Sequence, residues 1–164
     1  MKTDRARIIV FAGGAGVLAE MATAGRRTSE IVNDPGSQNI EVEEIRFIRG
    51  EPPESVASAA TGLIRKASTD AIIVLREPAA SAERRLASYV AKTPMRVAIL
   101  LPEMAITGTV HVQSRQDPVR LVLDGPERFA VLTEAKVVPV RGSARVAPVV
   151  LVNRTRLVAA ALVE

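Results

Sequence analysis

The chain has 164 residues and a net charge of +4 from 22 basic and 18 acidic side chains. Its 48% hydrophobic content is enough for a folded core and too much for a disordered tail. With no Cys and a single His it has no disulfide framework, no thiolate nucleophile and few routes to a zinc site.

Three Phe, one Tyr and no Trp leave almost no surfaces on which bases could stack. Nucleic acid binding is therefore disfavoured, backbone contacts being the only route left. The charges are mixed along the chain, and Arg predominates over Lys, which suits bidentate contacts with carboxylate or phosphate. Lys2, Arg5 and Arg7 before the apolar 8–19 segment have the outline of a leader, but Asp4 and Glu20 are out of place in one. No apolar run approaches the length of a membrane span. A soluble, cytoplasmic protein is expected.

In chain order, Arg7–Phe11 predicts a buried strand followed at once by Gly13, Gly14 and Gly16. Two structures fit: a glycine bend into a second strand over Val17–Met21, or a strand, turn and helix forming a phosphate cradle. The pattern is neither G-x-G-x-x-G nor a P-loop. Thr28 or Ser29 can cap a short helix ending at Asn33, and Ile40–Ile48 predicts a strand. Val56, Ala59, Ala60, Leu63, Ile64 and Ala67 fall at helical spacing behind Pro53, which predicts a helix over Glu54–Ala67. Ala71–Leu75 is a buried strand.

Ala79–Lys92, opened by Pro78 and closed by Thr93-Pro94, is the clearest helix pattern and the natural connector between halves. Strands follow at Arg96–Leu101, Ile106–Val112, Val119–Leu123 (the last with a helical turn as its alternative), Phe129–Val140, Val146–Val152 and Leu157–Val163. Phe129–Val138 is the β-rich run around which the rest is organised. An offset of 90 residues lays it on Ile40–Ile48, with Val42 on Leu132, Glu44 on Glu134 and Arg46 on Lys136. The same offset puts Ile31 and Val32 on Leu121 and Val122.

Three segments, Ile106-Thr107-Gly108-Thr109-Val110-His111, Phe129-Ala130-Val131-Leu132-Thr133-Glu134-Ala135-Lys136-Val137 and Leu151-Val152-Asn153-Arg154-Thr155-Arg156-Leu157, carry a resemblance. Through them the C-terminal part, from Met104 on, resembles a group of small uncharacterised bacterial β-domains. The Arg-x-Ser-Asp element of that pattern is degraded at Asp117–Leu123 and better kept as Arg27-Thr28-Ser29-Glu30-Ile31-Val32-Asn33 in the first half. The strand order is also similar, more distantly, to Sm-like small barrels. The resemblance implies an architecture and no established chemistry.

The chemistry-bearing residues are sparse. His111 lies between Val110 and Val112 with no carboxylate near it in sequence, and no Ser or Thr has an activating partner or a nucleophile elbow. No catalytic residue, metal site or cofactor is expected. Arg26, Arg27, Arg115 and Arg120 occupy matching places in the two halves and are the candidate contacts for a ligand or partner.

Two readings follow. The first is a mainly β protein with helices, made of two small barrel-like repeats over residues 1–78 (with a helical insertion) and 94–164, joined by a helix over 79–93. It is a non-enzymatic assembly or interaction module whose partner is itself or another protein. The second is an N-terminal Rossmann-like α/β domain with a β-rich C-terminal domain, binding a nucleotide or phosphate at Gly13, Gly14 and Gly16. Strand or helix at Val17–Met21 and Glu54–Ala67 decides between them.

Overall fold

The computed structural model describes residues 4–49, 54–79 and 90–164. Ten strands run β1 (Arg5–Ala12), β2 (Ala15–Ala22), β3 (Asn39–Arg49), β4 (Glu54–Arg65), β5 (Ala71–Arg76), β6 (Thr93–Leu101), β7 (Met104–Val112), β8 (Phe129–Pro139), β9 (Arg145–Asn153) and β10 (Ala159–Leu162). Two short helices, α1 (Thr28–Val32) and α2 (Pro118–Asp124), precede β3 and β8. The strands form one antiparallel sheet in the order β10-β6-β7-β8-β9-β5-β1-β2-β3-β4.

Each half has the same internal order, with its fifth strand beside its first and its fourth at the far side. The halves join where β9 pairs with β5, in the register Ala71↔Val152, Ile72↔Leu151, Ile73↔Val150 and Val74↔Val149. This seam explains why neither half closes into the expected barrel. Closure within a half would pair its fourth strand with its fifth, but the free side of β5 is taken by β9, and the free side of β9 by β5. The result is a continuous sheet that is not closed and ends at β4 and β10.

Alternation along the seam strands sends their side chains into two cores. Ala71 and Ile73 of β5 pack with Val150 and Val152 of β9 and with Val97, Ile106, Leu132 and Val137 in the core of the C-terminal half. Ile72 and Val74 point the other way, joining Leu151 and Phe129 in the core of the N-terminal half with Ile8, Val10, Met21 and Ile40. Each half thus completes the other's core.

The 90-residue offset has a backbone counterpart. Glu44 and Glu134 are both at positive φ, 49° and 48°. Each sits in a bulge: Glu44 and Ile45 oppose Ala19 between the pairs Leu18↔Arg46 and Glu20↔Glu43, and Glu134 and Ala135 oppose Gly108 between Thr107↔Lys136 and Thr109↔Thr133. A Cβ at Gly108 would be crowded there, 2.9 Å from a Leu132 methyl and 3.2 Å from the Ala135 Cβ.

Two of the expected elements need correction, and Val17–Met21 follows the first of the two readings. Glu54–Arg65 is not a helix but β4, paired along β3 from Asn39↔Arg65 to Arg49↔Glu54, with a 3-10 turn at Lys66–Ser68 after it. Its apolar residues fall at helical spacing, but half of them are small Ala that bury little on a helix face, and the long ladder offered by β3 overrides that weak preference. Val119–Leu123 lies inside α2, where Asp117 caps the N–H groups of Val119 and Arg120 and Pro118 takes the first helical position. Val17–Met21 is part of β2, paired with β1 through a hairpin, so the described strands lack the parallel β-α-β order of the Rossmann-like alternative. The connector expected over Ala79–Lys92 lies, at residues 80–89, outside the described residues. Among the described residues no helix is long and apolar enough to cross a membrane.

Candidate functional site

Among the described residues, four of the buried polar ones, Lys66, Thr69, Asp70 and Asn153, lie where the two halves meet. Asp70, 1% exposed, directly precedes β5. Its carboxylate accepts a hydrogen bond from the Gly13 N–H at 2.8 Å and pairs with the Arg156 guanidinium at 2.7 Å. Its carbonyl accepts the Asn153 N–H at 2.9 Å, which extends the seam by one rung.

Asn153 itself is fully buried. Its amide donates to the carbonyls of Lys66 and Thr69, at 3.2 and 2.8 Å, and its side-chain oxygen accepts from the Thr155 N–H and hydroxyl. Buried carbonyls in a turn need partners, and one side chain reaching across the seam supplies two of them.

A second asparagine works in the opposite direction. Asn33 ends α1 in the N-terminal half and clasps the start of β8, accepting the Phe129 N–H at 2.8 Å and donating to the Phe129 carbonyl at 3.1 Å. Arg154 holds the C-terminal end of α2, donating to the carbonyls of Leu121, Val122 and Glu127. Burial lowers its pKa, and Glu127 opposes that shift. The Asn33 and Asn153-Arg154 positions singled out in the sequence pattern are therefore fastenings between and within the halves.

Lys66, 2% exposed, donates from Nζ to the Asp34 carbonyl at 2.8 Å. Burial depresses its pKa, Asp34 works against that, and Arg128 and Arg26 add to it. Asp34 is held below the usual carboxylate value mainly by the Gly36 N–H, 2.9 Å away, against a desolvation effect and with help from Arg26 and Lys66.

The four candidate arginines are not gathered into one site. Arg26 donates to the Glu30 carbonyl at 3.2 Å, lies 3.6 Å from Asp34, and lines a cleft with Glu41 and Glu43. Arg27 is the exposed N-cap of α1 and lines a different cleft with Lys92, His111 and Arg154. Arg115 is an exposed turn residue at φ 70°, and Arg120 is exposed on α2. His111 is exposed, 2.9 Å from the Thr133 hydroxyl.

The glycines form a two-residue hairpin turn. Ala12 pairs with Ala15, and Gly13 and Gly14 both take positive φ, 55° and 80°, as such turns require. With the Gly13 N–H engaged by Asp70, the expected cradle holds the chain's own carboxylate. Gly14 and Gly16 also line a cleft of about 280 Å³ together with Arg49, Arg141 and Arg145. Among the described residues no three His, Asp or Glu side chains are grouped to hold a metal ion.

The chain matches no family model, no curated protein and no solved structure. What it could contact is therefore read from its own surface. The feature that sequence reasoning missed is the pair of sheet edges. From Ser55 to Ile64, β4 carries no charged residue and no Pro, although it is exposed along nearly all of its length. Val158–Val163, at the opposite end, is likewise free of charge. The signal lay in the sequence, but a helix assignment for Glu54–Ala67 turned it into an ordinary amphipathic pattern.

Proposed function

We propose that the protein is a non-enzymatic assembly module that associates with further copies of itself through its sheet edges, its two halves being tandem repeats of one small β unit. The observation that carries this reading is the charge-free run along each edge, Ser55–Ile64 within β4 and Val158–Val163 over β10. An edge strand presents a row of unpaired N–H and C=O groups, and proteins that must stay apart blunt such edges with Lys, Pro, charge or a covering loop. Ten consecutive residues of β4 carry no Lys, no Pro and no charge, and nearly all of them are exposed. Leu63 and Val56 on β4, and Leu162 beside β6, add exposed apolar side chains to the unpaired backbone.

A second reading, binding of a phosphate-bearing ligand, is favoured by one observation: the cleft in which Arg49, Arg141 and Arg145 accompany Gly14 and Gly16. One experiment separates the two. The purified protein is passed through size exclusion with light scattering, refractive index and absorbance at 260 nm, where a chain with no Trp and one Tyr is nearly dark. Assembly predicts a mass above the 17.5 kDa of one chain and no excess at 260 nm. A mass of one chain with a 260 nm absorber replaces the first reading by the second.

A further inference from the structure

Resting on the self-association reading, we infer that copies join head to tail, with β10 of one chain pairing antiparallel to β4 of the next in a register copied from the β9–β5 seam. The seam pairs the fourth strand of one half with the fifth strand of the other. The two edges left over are the fourth strand of the N-terminal half and the fifth strand of the C-terminal half. They are the same two partners, separated between the ends of the molecule.

Corresponding positions follow from the ladders. Ile40↔Ile64 in one half matches Ala130↔Val152 in the other, so Thr61, Gly62, Leu63 and Ile64 correspond to Val149, Val150, Leu151 and Val152. The hairpin turns align Gly13-Gly14 with Pro102-Glu103, which sets Leu100 on Phe11. Leu100 pairs with Ala159 as Phe11 pairs with Ala71, so Ala159–Leu162 correspond to Ala71–Val74. Transposed to the edges, the seam register becomes Ala159↔Ile64, Ala160↔Leu63, Ala161↔Gly62 and Leu162↔Thr61.

Side-chain exposure fits this pairing. Leu151 is fully buried at the seam, whereas its counterpart Leu63 is 66% exposed; Val74 is 2% exposed and its counterpart Leu162 48%. Both edge residues have kept the apolar character that burial at the seam requires of their counterparts. Apolar side chains at these positions remain in water only while the edge is unpaired.

The polar fastenings are not repeated at the edges. Arg65 stands where the seam has Asn153, and Val158 where it has Asp70. The contact between copies is thus a weaker version of the seam, reversible on dilution. Because the two edges differ, the contact is heterologous, and repeating it yields a closed ring or an open fibre rather than a two-fold dimer.

The chain has no cysteine, so introduced thiols report without background. Opposed residues of an antiparallel pair lie within the Cα separation a disulfide accepts. The full-length Leu63→Cys/Ala160→Cys variant, oxidised and run without reductant, is expected to give a ladder at multiples of the chain mass. A mixture of Leu63→Cys with Ala160→Cys stops at two chains, and neither single variant alone links to itself. Gly62 is unsuitable, since a Cβ there would lie 2.6 Å from an Ile45 methyl, so Thr61→Cys/Leu162→Cys serves as the second pair. Cross-linking of either single variant to itself overturns the head-to-tail pairing. So does a mixture that fails to link at both pairs while light scattering shows the unmodified chain to be assembled. If the unmodified chain is one chain in mass at every concentration, the self-association reading falls with it.

Discussion

The seam between β9 and β5 and the free edges β4 and β10 are built from corresponding strands, and they differ in what surrounds them. At the seam both strands are covered on both faces. Val150, Leu151, Val152, Ile72 and Ile73 have no exposed surface, and Asp70, Asn33 and Asn153 tie the turns on either side. At the edges the same positions hold Gly62, Leu63, Ile64, Ala160 and Ala161, smaller or half-exposed, with no counterpart of the two asparagines. Covalent linkage makes one contact permanent and lets the sequence invest it with buried polar groups. The contact we propose between copies would have to form between separate molecules, where a buried polar group awaiting a partner would be costly in the free chain.

Phe129→Ala breaks the seam hardest. Phe129 belongs to the C-terminal half but is fully buried in the core of the N-terminal half. A cavity of that size costs about 3–5 kcal/mol, measured by denaturant unfolding. A single cooperative transition is expected in both proteins, because the halves share their cores; two separated transitions would show that they fold independently.

Asn153→Ala leaves the carbonyls of Lys66 and Thr69 buried without their donor. A loss of about 2–4 kcal/mol is expected, with the cross-seam turn at Lys66–Ser68 becoming the first segment to exchange its amides. Leu63→Lys makes the reverse case. A charge on an exposed edge residue is expected to change the stability of the chain by less than about 0.5 kcal/mol and, on the self-association we propose, to lower the mass seen by light scattering to that of one chain.

The smallest effect is the acid limb of stability. The pKa of Asp34 is lowered in the folded protein, so the folded state binds fewer protons than the unfolded one as the group titrates. Its stabilisation is present above the unfolded carboxylate value of about 3.9 and is lost as pH falls through the depressed folded value. Asp34→Asn is expected to flatten this part of the pH dependence and leave the neutral region little changed, in thermal unfolding followed from pH 7 downward.

Much of the sheet was legible because its strands are β-branched and bounded by turn residues. Arg7–Phe11, Ile40–Ile48, Ala71–Leu75, Arg96–Leu101 and Phe129–Val140 all lie on strands close to their expected bounds. The offset between Glu44 and Glu134 was legible as a match of residue types and reappears as a matched bulge. Two elements were misread for opposite reasons. β4 looked helical because its small, uncharged residues satisfy several periodicities, and only the ladder along β3 selects one of them. α2 looked like a strand because Val119, Leu121, Val122 and Leu123 are apolar in a run, while the decisive Asp117-Pro118 cap occupies two residues.

The seam could not be read at all. Strand order across a sheet depends on which edges remain free after local pairing, and that is a property of the assembled fold. Asp70, Asn33 and Asn153 carry the seam's polar contacts, yet each looks in sequence like an ordinary turn residue. The candidate arginines were chosen for their charge, and charge is what the Ser55–Ile64 and Val158–Val163 runs of the edges lack.

Amide hydrogen exchange as a function of protein concentration tests the relation between seam and edges most directly. If the edges pair as the seam does, the amides of β5 and β9 are protected at every concentration. The outward-facing amides of Thr61–Ile64 and Ala159–Leu162 then gain protection as the protein is concentrated, and lose it in Leu63→Lys. Unprotected exchange in both edge segments at every concentration, with β5 and β9 protected, would contradict it.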